Sequence, residues 1–397
     1  KAIKPYLTST IEGSHKRPVS ALAWLPAENE IAPRTGKLVA PTTQDGVSQQ
    51  LVTLAPDGMV LFWDLRQKKE DKNGQLLWTY IYKINVSSVE GLGEMSGCQL
   101  CLNPATEGEE VTHLHLGTED GELVHASWLV PEAEENPSNV ISSHPAHYGP
   151  IVSVQRSPFF HDTILTVGDW TFNLYKAPAK EPVVKSSFAS THLSCGRFSP
   201  TRPGVIVTAR TDGDIEIWDL IDRSHEASLQ HNVGPSAVTA LEFWGDGTPN
   251  LQLLAVGDQQ GTLHIFEIPR NLRRPLPNEP SLVDALLRRE LSRVGYLASR
   301  AQFRRQELSV KEAQDEEKKR VQEEADAKAA AEEARLREAA EAEAQAIAAG
   351  EVEAVVEQAK EEEATSKLEA ADEQAEAKYR ALEAAFREKV GLTVPES

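Results

Sequence analysis

The chain has 397 residues, with 41 Lys and Arg against 61 Asp and Glu, for a formal net charge of −20. A surface this acidic repels phosphate backbones and argues against nucleic acid as a general partner. No apolar run reaches about 18 residues, so no membrane-spanning helix is predicted, and three cysteines, Cys98, Cys101 and Cys195, are too few for a disulfide framework and fit a reduced, cytoplasmic setting.

The chain opens at Lys1 without an initiator Met or a signal peptide, as expected of part of a longer protein. Residues 5–12 (PYLTSTIE) read as an outer strand, and Val19–Trp24 as the first of several short strands. A repeat then begins. Leu51–Leu65 reads LVTLAPDGMVLFWDL, Val207–Leu220 reads VTARTDGDIEIWDL, and Leu253–Ile268 reads LLAVGDQQGTLHIFEI. Leu116–Trp128 and Ile164–Tyr175 are weaker copies. Each is a strand, a tight turn and a second strand ending in an aromatic. Alternation such as Ile215 and Ile217 with Asp214 and Glu216 gives a strand with one buried face, and Asp57-Gly58, Asp120-Gly121 and Asp212-Gly213 supply the positive φ of a hairpin turn. Further strands are expected upstream of later copies at Ile151–Gln155, Leu193–Phe198 and Val238–Phe243.

The closing aromatics are Trp63, Trp128, Tyr175, Trp218 and Phe266, and Trp63-Asp64 and Trp218-Asp219 are literal Trp-Asp endings. A period of roughly 40–45 residues is that of a four-stranded WD-repeat blade. Residues 66–96 and 131–142 read as insertions that lengthen the first interval. The fold expected is therefore an all-β WD-repeat β-propeller over 1–270, followed by a long α-helical extension. Five units are visible, and a seven-bladed ring would take its missing part from residues before Lys1.

After a Pro-rich linker (271–280), Ser281 with Asp284 is a candidate helix cap. Leu282, Leu286, Leu287, Leu291, Val294, Leu297 and Ala301 make 281–307 an amphipathic, basic helix. It either packs on its own propeller or lies on a partner, and Arg288, Arg289 and Arg293 would then meet an acidic surface. Residues 308–350 are Ala/Glu-rich, read as an exposed helix or as disordered. Within 311–397 there are 25 acidic and 13 basic residues, a net −12. A stripe returns over 351–391, where Leu382 and Phe386 suit either a partner groove, a coiled coil or a hairpin back onto the earlier helix.

Signs of chemistry are few. Gly36-Lys37 lacks the glycine that a phosphate-binding loop needs, and no His-Glu-x-x-His or Gly-x-Ser-x-Gly occurs. Cys98 and Cys101 form a lone C-x-x-C without the further ligands of a zinc site. His113 and His115 share a strand face, and His15, His144 and His231 are candidates for structural hydrogen bonding at blade starts. Asp57, Asp120, Asp212 and Asp258 recur in one turn, which assigns them to turn stabilisation; Asp169, followed by Trp170, departs from that pattern. No catalytic residue, cofactor or metal is expected.

His147–Lys176 reads HYGPIVSVQRSPFFHDTILTVGDWTFNLYK and resembles the signature blade of dynein intermediate chains. Tyr6–Pro26 and Gly261–Arg274 resemble the axonemal inner-arm intermediate chain of the two-headed inner arm dynein. The likeness covers about 1–305. It implies a non-catalytic scaffold in the cytoplasm and cytoskeleton, at the axoneme of a cilium or flagellum. It also implies a propeller that grips a dynein heavy-chain tail, a second intermediate chain beside it, light chains on a region before Lys1, and docking or tether proteins on the doublet microtubule. Loops near Phe159, Phe160, Asp169 and Trp170 are the expected heavy-chain contact. A general WD-repeat adaptor of a cytoskeletal or trafficking complex is the competing reading.

Overall fold

The structure, a computed structural model, describes residues 8–42, 46–66, 69–70, 76–86, 95–103, 112–129, 139–245, 251–348, 363, 366–367 and 372–383. The chain divides into two units, Lys1–Arg300 and Ala301–Ser397.

The first unit is built from antiparallel sheets of consecutive strands, the form the repeat dictates. Sheet I comprises Ala21–Trp24, Gln50–Leu54, Met59–Asp64 and Tyr82–Asn85; sheet II comprises Gly97–Leu102, His113–Thr118, Glu122–Ser127 and Val140–Pro145. Sheet III comprises Ile151–Arg156, Thr163–Gly168, Thr171–Lys176 and Val184–Lys185; sheet IV comprises Leu193–Phe198, Val205–Arg210, Asp214–Asp219 and Leu229–Asn232. Sheet V has three strands, Val238–Trp244, Leu253–Asp258 and Leu263–Glu267. The first strand of each sheet packs against the first strand of the next, the radial arrangement of propeller blades. The all-β propeller and its helical extension are thus the fold.

The blade junctions explain the glycines inside strands. A Cβ on Gly117 would lie 2.7 Å from Ile151, and one on Gly196 would lie 2.6 Å from Val167, so only glycine lets adjacent blades close. Side chains then stitch backbone to backbone. Ser20 donates to the Gly97 carbonyl at 2.8 Å and Ser153 to the Gly196 carbonyl at 2.9 Å. Between sheets the core is apolar, with Phe62 and Trp128 between I and II, and Phe172 and Trp218 between III and IV. A large side chain buried this way contributes about 1.5–3 kcal/mol.

The two ends of this array are uncovered. Leu22 and Trp24 on sheet I are 59% and 50% exposed, and Trp244, Leu263 and Ile265 on sheet V are 64%, 64% and 62% exposed. These are the faces on which a further blade would pack. The two additional blades of a seven-bladed ring are a proposal that these faces support.

The inserted region 66–96 supplies structure of its own. Tyr82–Asn85 is the outer strand of sheet I, and Leu76–Trp78 pairs in parallel with Thr8–Ser9. The expected outer strand at 5–12 therefore joins an insertion rather than an antiparallel blade, as far as its described residues 8–12 show.

A short helix, α1 (Arg270–Arg273), is followed by α2 (Glu279–Ala348). Helix α2 starts before Ser281: Glu279 accepts the Leu276 amide at 2.8 Å, and its carboxylate is locked to Arg202. Val283 and Leu287 are each 1% exposed, and with Leu286 and Leu291 they pack against sheets III and IV. Leu282 and Leu297 stay about half exposed, because the buried line runs through 283 and 287, one position round the helix from Leu282. In the second unit the described helical residues 301–345 are exposed throughout.

Candidate partner-binding surface

The turns between the two central strands of each blade fix the geometry of one end of the array. Gly58, Gly121 and Gly213 take φ of 72°, 82° and 90°; in sheet III Asp169 takes this role itself, at φ 51°. Asp57 accepts from the amides of Met59 and Lys16 and from His15. Burial alone would raise this carboxyl, yet those bonds hold it below its ordinary range. The chain of bonds continues from His15 to Thr53 at 2.8 Å and from Thr53 to the Trp63 indole at 2.7 Å. With His15 Nδ1–H donating to Asp57, Thr53 donates to Nε2 and accepts from Trp63, so each polar group is satisfied.

Sheet III repeats the device incompletely. His147, not His144, is bonded to Thr166 at 2.9 Å and Thr171 at 3.3 Å, and burial pushes its pKa down to about 4. His231 is exposed on the outer strand of sheet IV, paired with Ile215, and its ring lies edge-on to Phe266. Asp169 accepts the Gly149 amide at 2.7 Å, the counterpart of Asp57 with Lys16. The Asp169 carboxylate is thus part of the blade, and the candidate for special use turns out to be a turn residue.

Among the repeat positions, Tyr175, Trp218 and Phe266 lie on the face toward the preceding blade, and Trp63, in the first blade, packs against Trp78 and Tyr80. Trp128 is displaced from the equivalent position. Counting five residues on from the left-handed glycine gives Trp63 after Gly58 and Trp218 after Gly213, but Ala126 after Gly121. Trp128 lies just past the strand end and is fully buried edge-on to Phe62 at 5.5 Å. The sequence has a small residue where the large one was expected and restores the volume two residues later. Asp64 and Asp219 cap the strand ends: Asp64 binds Arg66 at 2.8 Å, and Asp219 binds Arg202 at 2.8 Å.

The residues expected at one contact divide between opposite ends of sheet III. Phe159 and Phe160 precede the strand Thr163–Gly168, while Asp169 and Trp170 follow it. At about 3.3 Å per residue the strand separates them by roughly 20 Å. At the turn end, Trp170 stacks on His192 with centroids 4.4 Å apart. Tyr148 (85% exposed) and Phe188 (68%) flank Lys185, whose ammonium lies 5.8 Å and 5.7 Å from their rings. Phe188 and Lys185 lie outside the signature segment, and Tyr148 inside it was not singled out; their meeting was legible only once the loops were brought together.

At the other end, a groove of about 750 Å³ brings Phe159 and Phe160 together with Arg288 of α2. Phe160 also packs beneath Lys176, which pairs with Asp162 at 2.6 Å and Asp284 at 3.5 Å. Arg288 pairs with Asp284, while Arg289 and Arg293 pair with Glu290, so all three are engaged by acids of their own helix. Leu382 is exposed on the described helical residues 372–383; Phe386 lies outside the described residues.

Comparison with known proteins places this geometry in a family. The family model described as the dynein axonemal intermediate chain 3 WD40 domain matches residues 2–77 and 104–268. Similar proteins include dynein axonemal intermediate chain 3 of Homo sapiens, 28% identical over 77% of this chain and 41% of the relative. Dynein axonemal intermediate chain 2 of Homo sapiens is 27% identical over 78% and 46%. The 70 kDa intermediate chain of the flagellar outer arm of Chlamydomonas reinhardtii is 27% identical over 73% and 45%. The chain thus spans less than half the length of these relatives. With most of its blades inside the matched residues, the chain belongs to the axonemal dynein intermediate chain family.

Proposed function

We propose that this chain is a non-catalytic intermediate chain of an axonemal inner-arm dynein. Its propeller binds a heavy-chain tail and helps assemble and anchor the motor base on the doublet microtubule of a cilium or flagellum. The observation that carries the reading is the family match across the blades. The inner-arm assignment rests on the resemblance of the segments at 6–26 and 261–274. A second intermediate chain, light chains and docking proteins are further partners in this reading.

The heavy-chain contact is assigned to the turn end of sheet III, where Tyr148 and Phe188 flank Lys185 and Trp170 stacks on His192. Exposed large aromatics on a rigid sheet end are what a protein partner buries most favourably. Phe159 and Phe160 are half-buried, and Phe160 already packs within the core between sheets III and IV.

Tagged chain is mixed with a high-salt axonemal extract and the bound heavy chains are quantified. Wild-type protein retains heavy chain, including from axonemes that lack outer arms. The Tyr148→Ser, Trp170→Ala, Phe188→Ser triple variant loses about tenfold or more, the effect of roughly 1.4 kcal/mol. Capture of partners unrelated to dynein, with no heavy chain, would instead establish a general adaptor.

A further inference from the structure

The start of helix α2 docks on sheets III and IV through Val283 and Leu287, and beside that seam lies a pocket of about 170 Å³. It is lined by Leu286, Arg289, Glu290 and Arg293 of the helix, by Lys185 of the outer strand of sheet III, and by Ser224 in the loop before the outer strand of sheet IV. Arg289 and Arg293 are four residues apart, so their side chains leave the same helix face. They share one carboxylate. Arg289 donates to Glu290 at 3.2 Å and 3.1 Å, and Arg293 donates to it at 2.5 Å. A guanidinium is a fork of several N–H donors, so most of those on the two arginines are unspent among the described residues.

Three cations and one carboxylate line this pocket. Lys185 forms no ion pair among the described residues, and its ammonium lies beside the rings of Tyr148 and Phe188. The acids next to Ser224 do not correct the imbalance, because they are engaged within their own loop. Asp222 and Glu226 both pair with Arg223, at 3.8 Å and 2.6 Å, and Asp222 also accepts from Ser228. Ser224 is exposed, as is every residue from Asp222 to Glu226, and its hydroxyl makes no hydrogen bond among the described residues. The one hydroxyl lining the pocket is thus unengaged, open to a modifying enzyme and set in a field of net positive charge.

We propose that Ser224 is a phosphorylation site whose phosphate is held by Arg289 and Arg293, clamping the sheet IV loop to helix α2. A protein kinase supplies the γ-phosphoryl group of a nucleoside triphosphate. The bond from Ser224 Oγ to phosphorus forms as the bond from phosphorus to the bridging oxygen breaks. The serine proton passes to the kinase's base, and the nucleoside diphosphate leaves. The product carries about −1.5 to −2 charge at pH 7 and three acceptor oxygens. Guanidiniums meet such a group with paired, charge-assisted N–H···O bonds, which fix geometry as well as supply energy. Two negative charges added to three cations and one carboxylate leave the pocket close to neutral. The clamp spans the seam at which Val283 and Leu287 are buried, so phosphorylation sets how firmly the start of α2 is held.

The full chain is prepared with phosphoserine encoded at position 224 and compared with the unmodified chain. Phosphorus NMR follows the titration of the phosphate. Its second ionisation, near pH 6 for a solvated phosphoserine, is expected at about pH 5 or below, because two adjacent guanidiniums favour the dianion. Amide exchange over 279–291 is expected to slow about tenfold, the effect of roughly 1.4 kcal/mol. Arg289→Gln with Arg293→Gln, both at exposed positions, should return the ionisation to about pH 6 and abolish the difference in exchange. The melting temperature of the unmodified chain should change little with these substitutions, because exposed ion pairs contribute little. Peptide mapping of the protein taken from axonemes should find phosphate on Ser224. An ionisation left near pH 6, exchange indifferent to the phosphate, effects that survive the arginine substitutions, or native protein without phosphate on Ser224 would each overturn the assignment.

Discussion

Arg202 shows how a single charge can fasten two elements. Its side chain is 3% exposed and binds Glu279, which is 0% exposed, at 3.0 Å and Asp219 at 2.8 Å. Its Nη1 also donates to the Asn271 carbonyl at 2.9 Å. Glu279→Ala leaves the guanidinium buried with one acid fewer, and a loss of about 3–5 kcal/mol is expected. Urea unfolding measures it, with the exposed pair Lys318–Asp315 as a control expected to change by less than about 0.5 kcal/mol. His147 supplies a pH prediction. Burial holds its folded pKa at about 4, below the ordinary 6.5, so between these values the unfolded chain binds the additional proton. Its contribution is complete above pH 6.5 and is lost as pH falls toward 4, by at most about 3 kcal/mol. Urea midpoints at pH 7.5 and pH 5 should differ less in His147→Gln than in wild type; equal differences would remove His147 from this account. Arg202 was not singled out in the sequence, and His147 entered it only as the start of the signature segment. Arg202 follows the strand ending at Phe198, and nothing local says that its acids arrive from residues 219 and 279.

At the scale of the element, helix α2 does two different things. Its start is a docked amphipathic segment, and residues 301–345 are exposed on every side. Leu287→Ala should cost about 2–5 kcal/mol, as expected for a fully buried leucine. Amide exchange over 279–291 should rise, while protection in sheets I and II holds. If exchange rises equally everywhere, the helix start is part of the global core rather than a docked element. The 3.6-residue period was readable, and it located the helix. Which line of the stripe faces inward was not, because Leu282 and Val283 are both apolar and only the position of the helix axis over sheets III and IV chooses between them. The blades were more legible. Asp-Gly turns and strand alternation are local, so four of the five turns could be placed, and the fifth, at Asp169, was recognised as different.

For the whole molecule, five sheets stack through their inner strands and leave apolar faces uncovered at both ends. The strand Leu263–Glu267 is an open edge that exposes Leu263 and Ile265, and such edges promote association. The isolated chain should self-associate, and Leu263→Lys with Ile265→Lys should raise the monomer fraction in size-exclusion chromatography with light scattering, at unchanged melting temperature. A monomeric wild-type chain would mean that these faces are not adhesive.

The sequence by itself determined the repeat, the turn chemistry, the helical extension and the family resemblance. All depend on interactions within a few residues or on a pattern repeated along the chain. Tertiary structure alone decided which residues share a surface. It separated Phe159 and Phe160 from Trp170, although about ten residues divide them, because a strand runs between. It brought Tyr148 and Phe188 to either side of Lys185, and it set the histidines of one blade against Tyr175 and Arg156 of the next. The pleat dictates which face a side chain takes, but what stands opposite that face is a neighbouring blade, whose distance along the chain no local rule encodes.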